Sequence, residues 1–300
     1  MSFQPISFQT IADAIALGSL YALVGVGVAL VFGVMRLVNF AHGELITAGA
    51  YSLVLTDGWS SIVLRIAVCF ATVIVLALLM ERIAFRPIRG SSPTTMLIAT
   101  FAISFLLQSI ALLAFGSKGN SVSTLPGLNT AAHIGSLHVR WLTILSISVT
   151  AVLLAGTTLL LNRTSIGLQM RAAALDFRAA RLLGVRTDRV ISLTFVIAGI
   201  MAACVSILLT VQTPFVQPSF GAQILIPALV GVVVGGLDRL VTATLGAFTI
   251  GFVTSALGDV LAANHRVYID SYVFLLVILV LLLRPAGLYA PLRQPTVERV

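Results

Sequence analysis

Charged residues are scarce in this chain: Asp, Glu, Lys and Arg make up 9% of its 300 residues, while hydrophobic residues make up 59%. A soluble domain carries about 25% charged residues, which cover its surface in water. The low charge content therefore excludes a water-soluble globular protein and predicts that lipid is the main solvent. The net charge of +8 does not require nucleic acid as a partner, because arginines beside anionic lipid at the cytoplasmic face account for it.

Cysteine is also scarce. The two cysteines, Cys69 and Cys204, each lie inside an apolar run, which argues against a disulfide framework. None of the four histidines lies at a zinc-ligand spacing from either cysteine. We therefore expect this chain to bind no metal and no cofactor.

Motifs that carry catalysis are missing as well. The chain has no G-x-x-x-x-G-K-[ST] loop for ATP phosphates, no G-x-S-x-G elbow and no H-E-x-x-H. Glu44 is the acid that we place near a predicted span, and no paired intramembrane carboxylates occur. Proton-coupled carriers usually keep acidic or histidine relays inside the membrane. The near-absence of such groups argues against a proton-coupled carrier and an intramembrane hydrolase, so we expect a protein that is not an enzyme.

Long apolar runs dominate the chain instead. A spanning helix needs roughly 20 apolar residues, and runs that reach or approach this length lie at 11–34, 62–80, 94–115, 142–161, 191–211 and 242–257. Shorter runs, each predicting a tilted span, a half-helix or a re-entrant segment, lie at 45–56, 222–237 and 271–283. The runs are continuous rather than alternating, which favours helices over a barrel. We predict an all-α integral membrane protein, a polytopic helical bundle with about eight spans plus broken or re-entrant segments, in one domain over residues 1–300.

The orientation in the membrane follows from the basic residues, which concentrate on the cytoplasmic side. The arginine-rich segments that we predict to be cytoplasmic are 81–90, 162–190, the tail from Arg284, and the surroundings of Arg36 and Arg239. The polar segment 116–141 is predicted to be extracytoplasmic. The first ten residues contain no Lys or Arg for a signal-peptide n-region, so we expect the first helix to stay in the mature protein.

An amphipathic helix is predicted within 162–190. The apolar residues that recur there at spacings of four and three are Leu168, Ala172, Leu175, Ala179 and Leu182. This spacing places them in one stripe on one helix, which Arg171, Arg178 and Arg181 flank. Gly184 follows where a helix C-cap would lie. The helix fits either an interfacial role at the lipid headgroups or docking into a groove on a soluble partner.

The stretch RLVNFAHGE, residues 36–44, interrupts an otherwise apolar region. Unwound backbone in a membrane is tolerated against protein or a water-filled cavity, and transporters use such breaks to meet their substrates. One hypothesis is that Asn39, His42, Gly43 and Glu44 line the translocation path or hold its gate. The alternative is a cytoplasmic turn, in which Asn39 caps a helix and Glu44 favours the positive end of the helix dipole.

The pattern G-x-x-R-L-V-x-x-x-x-G occurs at Gly33–Gly43 and again at Gly236–Gly246, so that Arg36 aligns with Arg239. Paired breaks in two halves of a transporter indicate where its site lies. Because both arginines follow apolar runs and are predicted to be cytoplasmic, we interpret them as a possible cytoplasmic gate pair.

Two longer segments carry a resemblance to a known family. The segment GLQMRAAALDFRAARLLGV resembles the cytoplasmic coupling loop of ABC-importer permeases, although no Glu opens the motif and no Pro closes it. The segment GSLYALVGVGVALVFGVMRLVNFAHGELITAGAY, residues 18–51, is similar to the first part of branched-chain amino-acid permeases of the LivH type. RPAGLYA at 284–290 and VVVGGLDRLVTATLGA resemble later parts of the same family.

The resemblance implies a multi-pass permease subunit of an ABC importer in a bacterial inner membrane, which moves branched-chain or similar amino acids while separate subunits hydrolyse ATP. Its implied partners are a second homologous permease, two cytoplasmic ATPase subunits, an extracytoplasmic substrate-binding protein and membrane lipid, without nucleic acid. The residues implied to couple to the ATPases are Arg171, Ala172, Leu175, Asp176, Arg178, Ala179, Leu182 and Gly184.

Other functions stay open at the level of the sequence. One is a self-contained secondary carrier or channel for a small polar solute, in which 162–190 is an ordinary basic loop. Another is an ABC permease for urea or amides. A polytopic membrane enzyme fits least, because no catalytic set is present.

Overall fold

The computed structural model describes residues 8–36, 38–134, 137–237, 239–261, 263–284 and 287–289. These ranges are mostly helical, as the continuous apolar runs predict. The α-helices, numbered in chain order, are α1 (Phe8–Met35), α2 (His42–Leu55), α3 (Ile62–Leu79), α4 (Pro93–Phe115), α5 (Trp141–Arg163), α6 (Ser165–Leu175), α7 (Phe177–Leu182), α8 (Thr187–Gln212), α9 (Phe220–Gly235), α10 (Leu240–Val260) and α11 (Ile269–Leu283).

Short irregular elements connect the helices. A π-helix, Met80–Phe85, continues α3, and 3-10 helices lie at Pro126–Asn129 and Ala263–Tyr268. Two antiparallel strand pairs are present, and they are β1 (Asn120–Ser121) with β4 (Phe215–Val216), and β2 (Ala131–Ile134) with β3 (Leu137–Arg140).

Seven helices of the described ranges are long and apolar enough to cross a membrane: Gln9–Met35, Ile62–Phe85, Thr94–Phe115, Trp141–Arg163, Thr187–Gln212, Leu240–Val260 and His265–Leu283. Two of them extend runs that are short in the sequence, 242–257 and 271–283. Helices α2 and α9 are shorter, with 14 and 16 residues. The prediction of an all-α polytopic membrane bundle with shorter, broken segments is confirmed.

Contacts made by the loops and the helix ends show which segments lie at the same end of the bundle. At one end the side chain of Arg65 forms an ion pair with Asp57 at 2.8 Å and donates to the carbonyl of Ser123 at 3.3 Å. The pairing of β1 with β4 joins Asn120 to Val216 at this same end. The polar segment 116–141 therefore lies beside the loops that follow α2 and α8.

The opposite end carries the arginine-rich segments. Arg86, after the π-helix, pairs with Asp188 in the first turn of α8 at 3.0 Å. Arg36, Arg171 and Arg239 line one cavity at this end. The described parts of the segments predicted to be cytoplasmic are thus brought to one end of the bundle, and α2 runs from this end towards the other.

Helix α1 forms the centre of the bundle and is mostly buried, as is α8. Close approach of α1 to α10 depends on small residues: a Cβ on Gly25 would lie 2.7 Å from the Cβ of Ala247. Helices α9 and α10 also touch closely, since a Cβ on Gly231 would lie 2.6 Å from the Cα of Ala247. Small residues at such contacts are the usual means of packing helices in lipid, where dispersion replaces the hydrophobic effect.

The outer helices α3, α4, α5 and α11 are mostly exposed and apolar. Large aliphatic side chains such as Val63, Leu113 and Leu282 point away from the bundle. A surface of this kind is stable in lipid and would aggregate in water, which agrees with the low charge content of the sequence.

The prediction of one continuous helix across the apolar stripe of 162–190 is wrong. Helix α6 ends at Leu175, Asp176 is extended with φ −154° and ψ 112°, and α7 begins at Phe177. The Ala179 amide N–H donates to Asp176 Oδ1 at 3.1 Å. Aspartate competes for backbone amides in this way and favours a helix start over a helix interior, so the stripe is divided between two short helices.

The predicted glycine cap after this segment is confirmed. Gly184 has φ +84°, the left-handed conformation that glycine adopts without steric cost. Its N–H donates to the carbonyl of Arg181, and the Val185 N–H donates to the carbonyl of Ala180, both at 3.0 Å. These two bonds form a Schellman motif and end α7.

Candidate functional site

The break between α1 and α2 is the first part of the candidate site. Helix α1 ends where the Arg36 N–H donates to the Phe32 carbonyl at 2.7 Å, and Arg36 itself has φ +54°. The Asn39 Oδ1 accepts a hydrogen bond from the Ala41 N–H at 3.0 Å, and α2 begins at His42. Asn39 therefore shapes the turn through its own side chain, and Leu37 lies outside the described residues.

The side chains that follow this turn point into the protein. Asn39, His42 and Glu44 are each at most 2% exposed. The position of Glu44 in the first turn of α2 agrees with the alternative of a cytoplasmic turn. Its prediction that Asn39 caps the helix is wrong, because the N-cap of α2 is Ala41 and the Asn39 side chain binds the amide of Ala41 within the turn. Whether these residues line a path stays a prediction.

Glu44 is bound by a neighbouring helix. Its Oε1 accepts hydrogen bonds from Ser104 Oγ at 2.9 Å and from Gln108 Nε2 at 2.8 Å, both on α4. A buried carboxylate is costly unless such donors compensate for lost water. Sequence reasoning missed Ser104 and Gln108, although their spacing of four places both on one face of an apolar helix.

The His42 side chain is buried without a hydrogen bond: neither imidazole nitrogen has a partner among the described residues. The ring lies against Gly27 of α1, where an added Cβ would be 2.8 Å from His42 Nε2. The Asn39 Nδ2, the Tyr51 hydroxyl and the Ser206 hydroxyl likewise have no partner among the described residues. Buried polar groups are normally paired, so these four side chains are exceptions within the described part of the chain.

Gly43 has a packing role that the sequence did not indicate. A Cβ on Gly43 would lie 3.1 Å from the carbonyl carbon and oxygen of Gly221 on α9. The Gly221 N–H also donates to the Thr47 hydroxyl at 2.9 Å. Helices α2 and α9 therefore meet backbone to backbone at these two glycines.

A cavity of about 320 Å³ opens beside Glu44, between α2, α3 and α4. Its polar lining consists of Glu44, Thr47, Tyr51, Ser52, Thr56 and Thr72. The rest of the lining is aliphatic or aromatic, including Leu107 and Phe115. An apolar cavity with a few polar groups is the usual form of a small-molecule site.

The predicted gate residues Arg36 and Arg239 line one cavity of about 700 Å³. They are distant in sequence, and the structure brings them together at the arginine-rich end. Arg171 of α6 lines the same cavity, and its Nη1 donates to Asn162 Oδ1 at 3.0 Å. A gating movement of the pair stays a prediction.

The predicted coupling residues lie on α6 and α7, at Asp176 between these helices, and in the turn after α7. Leu175 and Leu182 are 85% and 89% exposed, whereas Met170 and Ala173 are buried against the bundle. Of the other members, Arg171, Asp176 and Ala179 are exposed, Ala172 is half-buried, and the side chain of Arg178 lies outside what the structure describes. The apolar residues of the predicted stripe thus include leucines that face away from the protein.

An ion-pair network that sequence reasoning missed joins the start of α8, directly after the coupling residues, to the π-helix that continues α3. Arg89 Nη1 pairs with Asp188 Oδ1 at 2.7 Å, and Arg89 also pairs with the buried Glu81. The Ser192 hydroxyl donates to Glu81 Oε2 at 2.9 Å. Burial lowers the pKa of Arg89, and the charge of Asp188 opposes that shift. The network links the π-helix to the first turns of α8, directly after the coupling segment.

A family model described as the permease component of branched-chain amino acid transport systems matches residues 10–283. The chain belongs to this permease family. The permease is 32% identical to the high-affinity branched-chain amino acid transport system permease protein BraD of Pseudomonas aeruginosa, over 97% of both chains. It is also 32% identical to the permease protein LivH of Escherichia coli K12, again over 97% of each.

A solved structure supports the fold of the permease. It is described as a metal-chelate type ABC transporter in an inward-facing conformation, and it matches with a TM-score of 0.51 over 94% of the permease and 93% of its own chain. The sequence identity is 17%. At this identity the likeness concerns the arrangement of the helices and not the transported solute.

Proposed function

We propose that this chain is the membrane-spanning permease subunit of a bacterial inner-membrane importer that moves branched-chain or similar amino acids. Separate subunits hydrolyse ATP, and this chain acts in transport without an active site of its own. The proposal rests on the exposed side chains of Leu175 on α6 and Leu182 on α7, which we call the leucine surface, combined with the family match. A pair of helices that exposes leucines between two spans fits a groove on a soluble protein better than it fits water.

The partners follow from this arrangement. Two cytoplasmic ATPases dock on α6 and α7, one on each of two permease subunits, and an extracytoplasmic binding protein delivers the solute to the opposite end. The relatives BraD and LivH are named as parts of high-affinity transport systems, which supports an assembly of several proteins. No cofactor or metal is required by the permease itself in this scheme.

The amino acid passes through the cavity between α2, α3 and α4. Glu44 offers a carboxylate to the ammonium group, and the Tyr51 hydroxyl, which has no partner among the described residues, offers a donor to the carboxylate end. Leu107 and Phe115 in the same cavity provide an apolar wall for an aliphatic side chain. Asn39 and His42 lie near this route, and Arg36 with Arg239 gates it at the cytoplasmic end.

Uptake of radiolabelled leucine into proteoliposomes tests the proposal. The permease is purified with its associated subunits, and the ATPases and the binding protein are identified by mass spectrometry. We expect uptake that requires both ATP and the binding protein. Uptake driven by a proton gradient without ATP would instead establish a self-contained carrier, and ATP-dependent uptake of urea or amides alone would overturn the substrate assignment.

A further inference from the structure

Another cavity at the arginine-rich end, of about 820 Å³, lies between the π-helix and the first turns of α8. Its charged lining consists of two carboxylates and five arginines: Glu81, Asp188, Arg82, Arg86, Arg181, Arg186 and Arg189. Positive charges therefore outnumber negative charges by three in this lining. The residues that flank each lining residue in the chain are all described, and none of them is an additional Asp or Glu.

Both carboxylates of the cavity are already bound to arginines. Glu81 pairs with Arg89, and Asp188 pairs with Arg86 at 3.0 Å and with Arg89 at 2.7 Å. Arg89 does not line the cavity, so it adds a positive charge from outside the lining. The two acids are thus balanced by Arg86 and Arg89 and do not offset the charge of the other arginines.

Three arginines of the lining have no side-chain ion pair or hydrogen bond in the described part of the chain. They are Arg82 on the π-helix, Arg186 directly before α8 and Arg189 in the first turn of α8. These side chains come from two elements and meet at one cavity. Like charges in such an arrangement repel each other, and an anion between them would convert the repulsion into attraction.

A fourth arginine adds to this positive field. Arg181, at the end of α7, donates to the neutral Thr187 hydroxyl at 3.3 Å. Burial lowers the pKa of Arg89, and the charge of Arg181 lowers it further, although Asp188 opposes both effects. The arginines of α7 and of the loop after the π-helix are therefore close enough to repel each other.

The inner lining of the cavity is apolar. Leu78 of α3 and Leu193 and Val196 of α8 are half-buried and belong to helices that can span the membrane. Leu79 and Ile83, beside the cavity at the end of the same span, are 47% and 70% exposed, so the cavity adjoins the surface that faces lipid. A ligand that fills this cavity needs a negative group for the arginines and an apolar part for the leucines, and an anionic phospholipid has both.

We propose that this cavity binds an anionic phospholipid. Its headgroup phosphate contacts Arg82, Arg186 and Arg189, and its proximal acyl carbons lie against Leu78 and Val196. Guanidinium groups bind phosphate oxygens with paired hydrogen bonds, and basic pockets between spans at the cytoplasmic face suit lipid headgroups. The lipid joins the end of α3 to the start of α8, directly after the coupling residues, and its binding does not depend on which solute is transported.

Lipid binding can be measured directly, separately from transport. The permease, with the subunits that copurify with it, is delipidated in detergent and titrated with phosphatidylglycerol, and binding is followed by native mass spectrometry and thermal unfolding. We expect phosphatidylglycerol to bind and to raise the unfolding temperature. Arg82→Gln and Arg186→Gln should each weaken this binding about fivefold, because one charge near an anionic lipid contributes about 1 kcal/mol.

Two further variants separate a lipid site from a general loss of charge or of folding. Arg163→Gln removes the same charge from the end of α5, outside the cavity, and should bind like the unmodified permease. Asp188→Asn removes a negative charge from the lining and should strengthen binding about fivefold, although it loses ion pairs. A variant that was merely misfolded would not bind the lipid more tightly.

Four results would overturn the proposal. The first is equal binding by the Arg82→Gln, Arg186→Gln and Arg163→Gln variants, and the second is equal binding of phosphatidylcholine. The third is full reproduction of the stabilisation by inorganic phosphate, which would assign the arginines to a soluble anion. The fourth is binding that appears only after the copurifying subunits are removed, which would show that a partner protein occupies the cavity.

Discussion

Glu44 Oε1 on α2 and Gln108 Nε2 on α4 are 2.8 Å apart, and this hydrogen bond joins a short buried helix to one of the most exposed helices. Ser104 donates to the same oxygen at 2.9 Å. The carboxylate therefore provides a specific polar attachment for α4. The same carboxylate faces the cavity between α2, α3 and α4, so a solute bound there would compete for its oxygens.

Replacing Glu44 tests whether the cavity lies on the transport route. Glu44→Gln keeps the shape of the side chain and removes its charge, so we expect the half-saturating concentration for leucine uptake to rise about tenfold, the value of one charge-assisted hydrogen bond of about 1.5 kcal/mol. Uptake is measured at matched membrane levels of the permease. Asn39→Ala, at the turn before α2, should have a smaller effect, and unchanged kinetics in both variants would support the structural turn instead.

The leucine surface of α6 and α7 should determine ATPase binding. Leu175→Ser and Leu182→Ser remove apolar area that is exposed in the isolated permease, so the permease should stay folded while the ATPases are lost. We expect the ATPases recovered by pull-down to fall at least severalfold, because burying a leucine contributes about 1.5–3 kcal/mol. Leu55→Ser, exposed at the end of α2 on the opposite side of the bundle, serves as the control. Unchanged recovery in the first two variants would exclude this docking surface.

The two carboxylates that bind Arg89 should differ in their contribution to stability. Glu81 is almost fully buried, whereas the Asp188 side chain is 51% exposed. Glu81→Gln leaves Arg89 half-buried without its inner partner and should lower the free energy of unfolding by about 3 kcal/mol. Asp188→Asn removes solvent-screened pairs and should cost about 1 kcal/mol or less. Denaturation of the purified permease in detergent gives both values, and a larger loss for Asp188→Asn would contradict the structure.

The contact between α2 and α9 should not tolerate a side chain. In Gly221→Ala the new methyl group would collide with the Gly43 backbone, and neither helix can retreat without losing the Thr47 hydrogen bond. We expect a strong loss of folded permease by size-exclusion chromatography. Gly156→Ala, on the exposed face of α5 with open space around it, should instead leave the permease intact or stabilise it by up to about 1 kcal/mol. Similar yields of both variants would be inconsistent with this packing.

Several features of the coupling segment could be predicted from the sequence because they depend on neighbouring residues. Gly184 ends α7 since glycine reaches a left-handed φ without steric cost, and this requirement is local. The helix break at Asp176 was also local, but the apolar periodicity concealed it. Periodicity shows which residues could share a helix face. It does not show where an aspartate accepts a hydrogen bond from a backbone amide and so begins a new helix.

The composition and the apolar runs specify the environment and the class of this protein. Few charges and apolar runs of about 20 residues leave a helical membrane bundle as the stable arrangement, because every backbone group must be paired in lipid. Only the folded structure shows which distant side chains bind each other: Glu44 with Gln108, and Arg89 with Glu81. Helix packing sets these pairs, since it depends on close contacts of small residues such as Gly43 and Gly221 that leave no periodic pattern in the sequence.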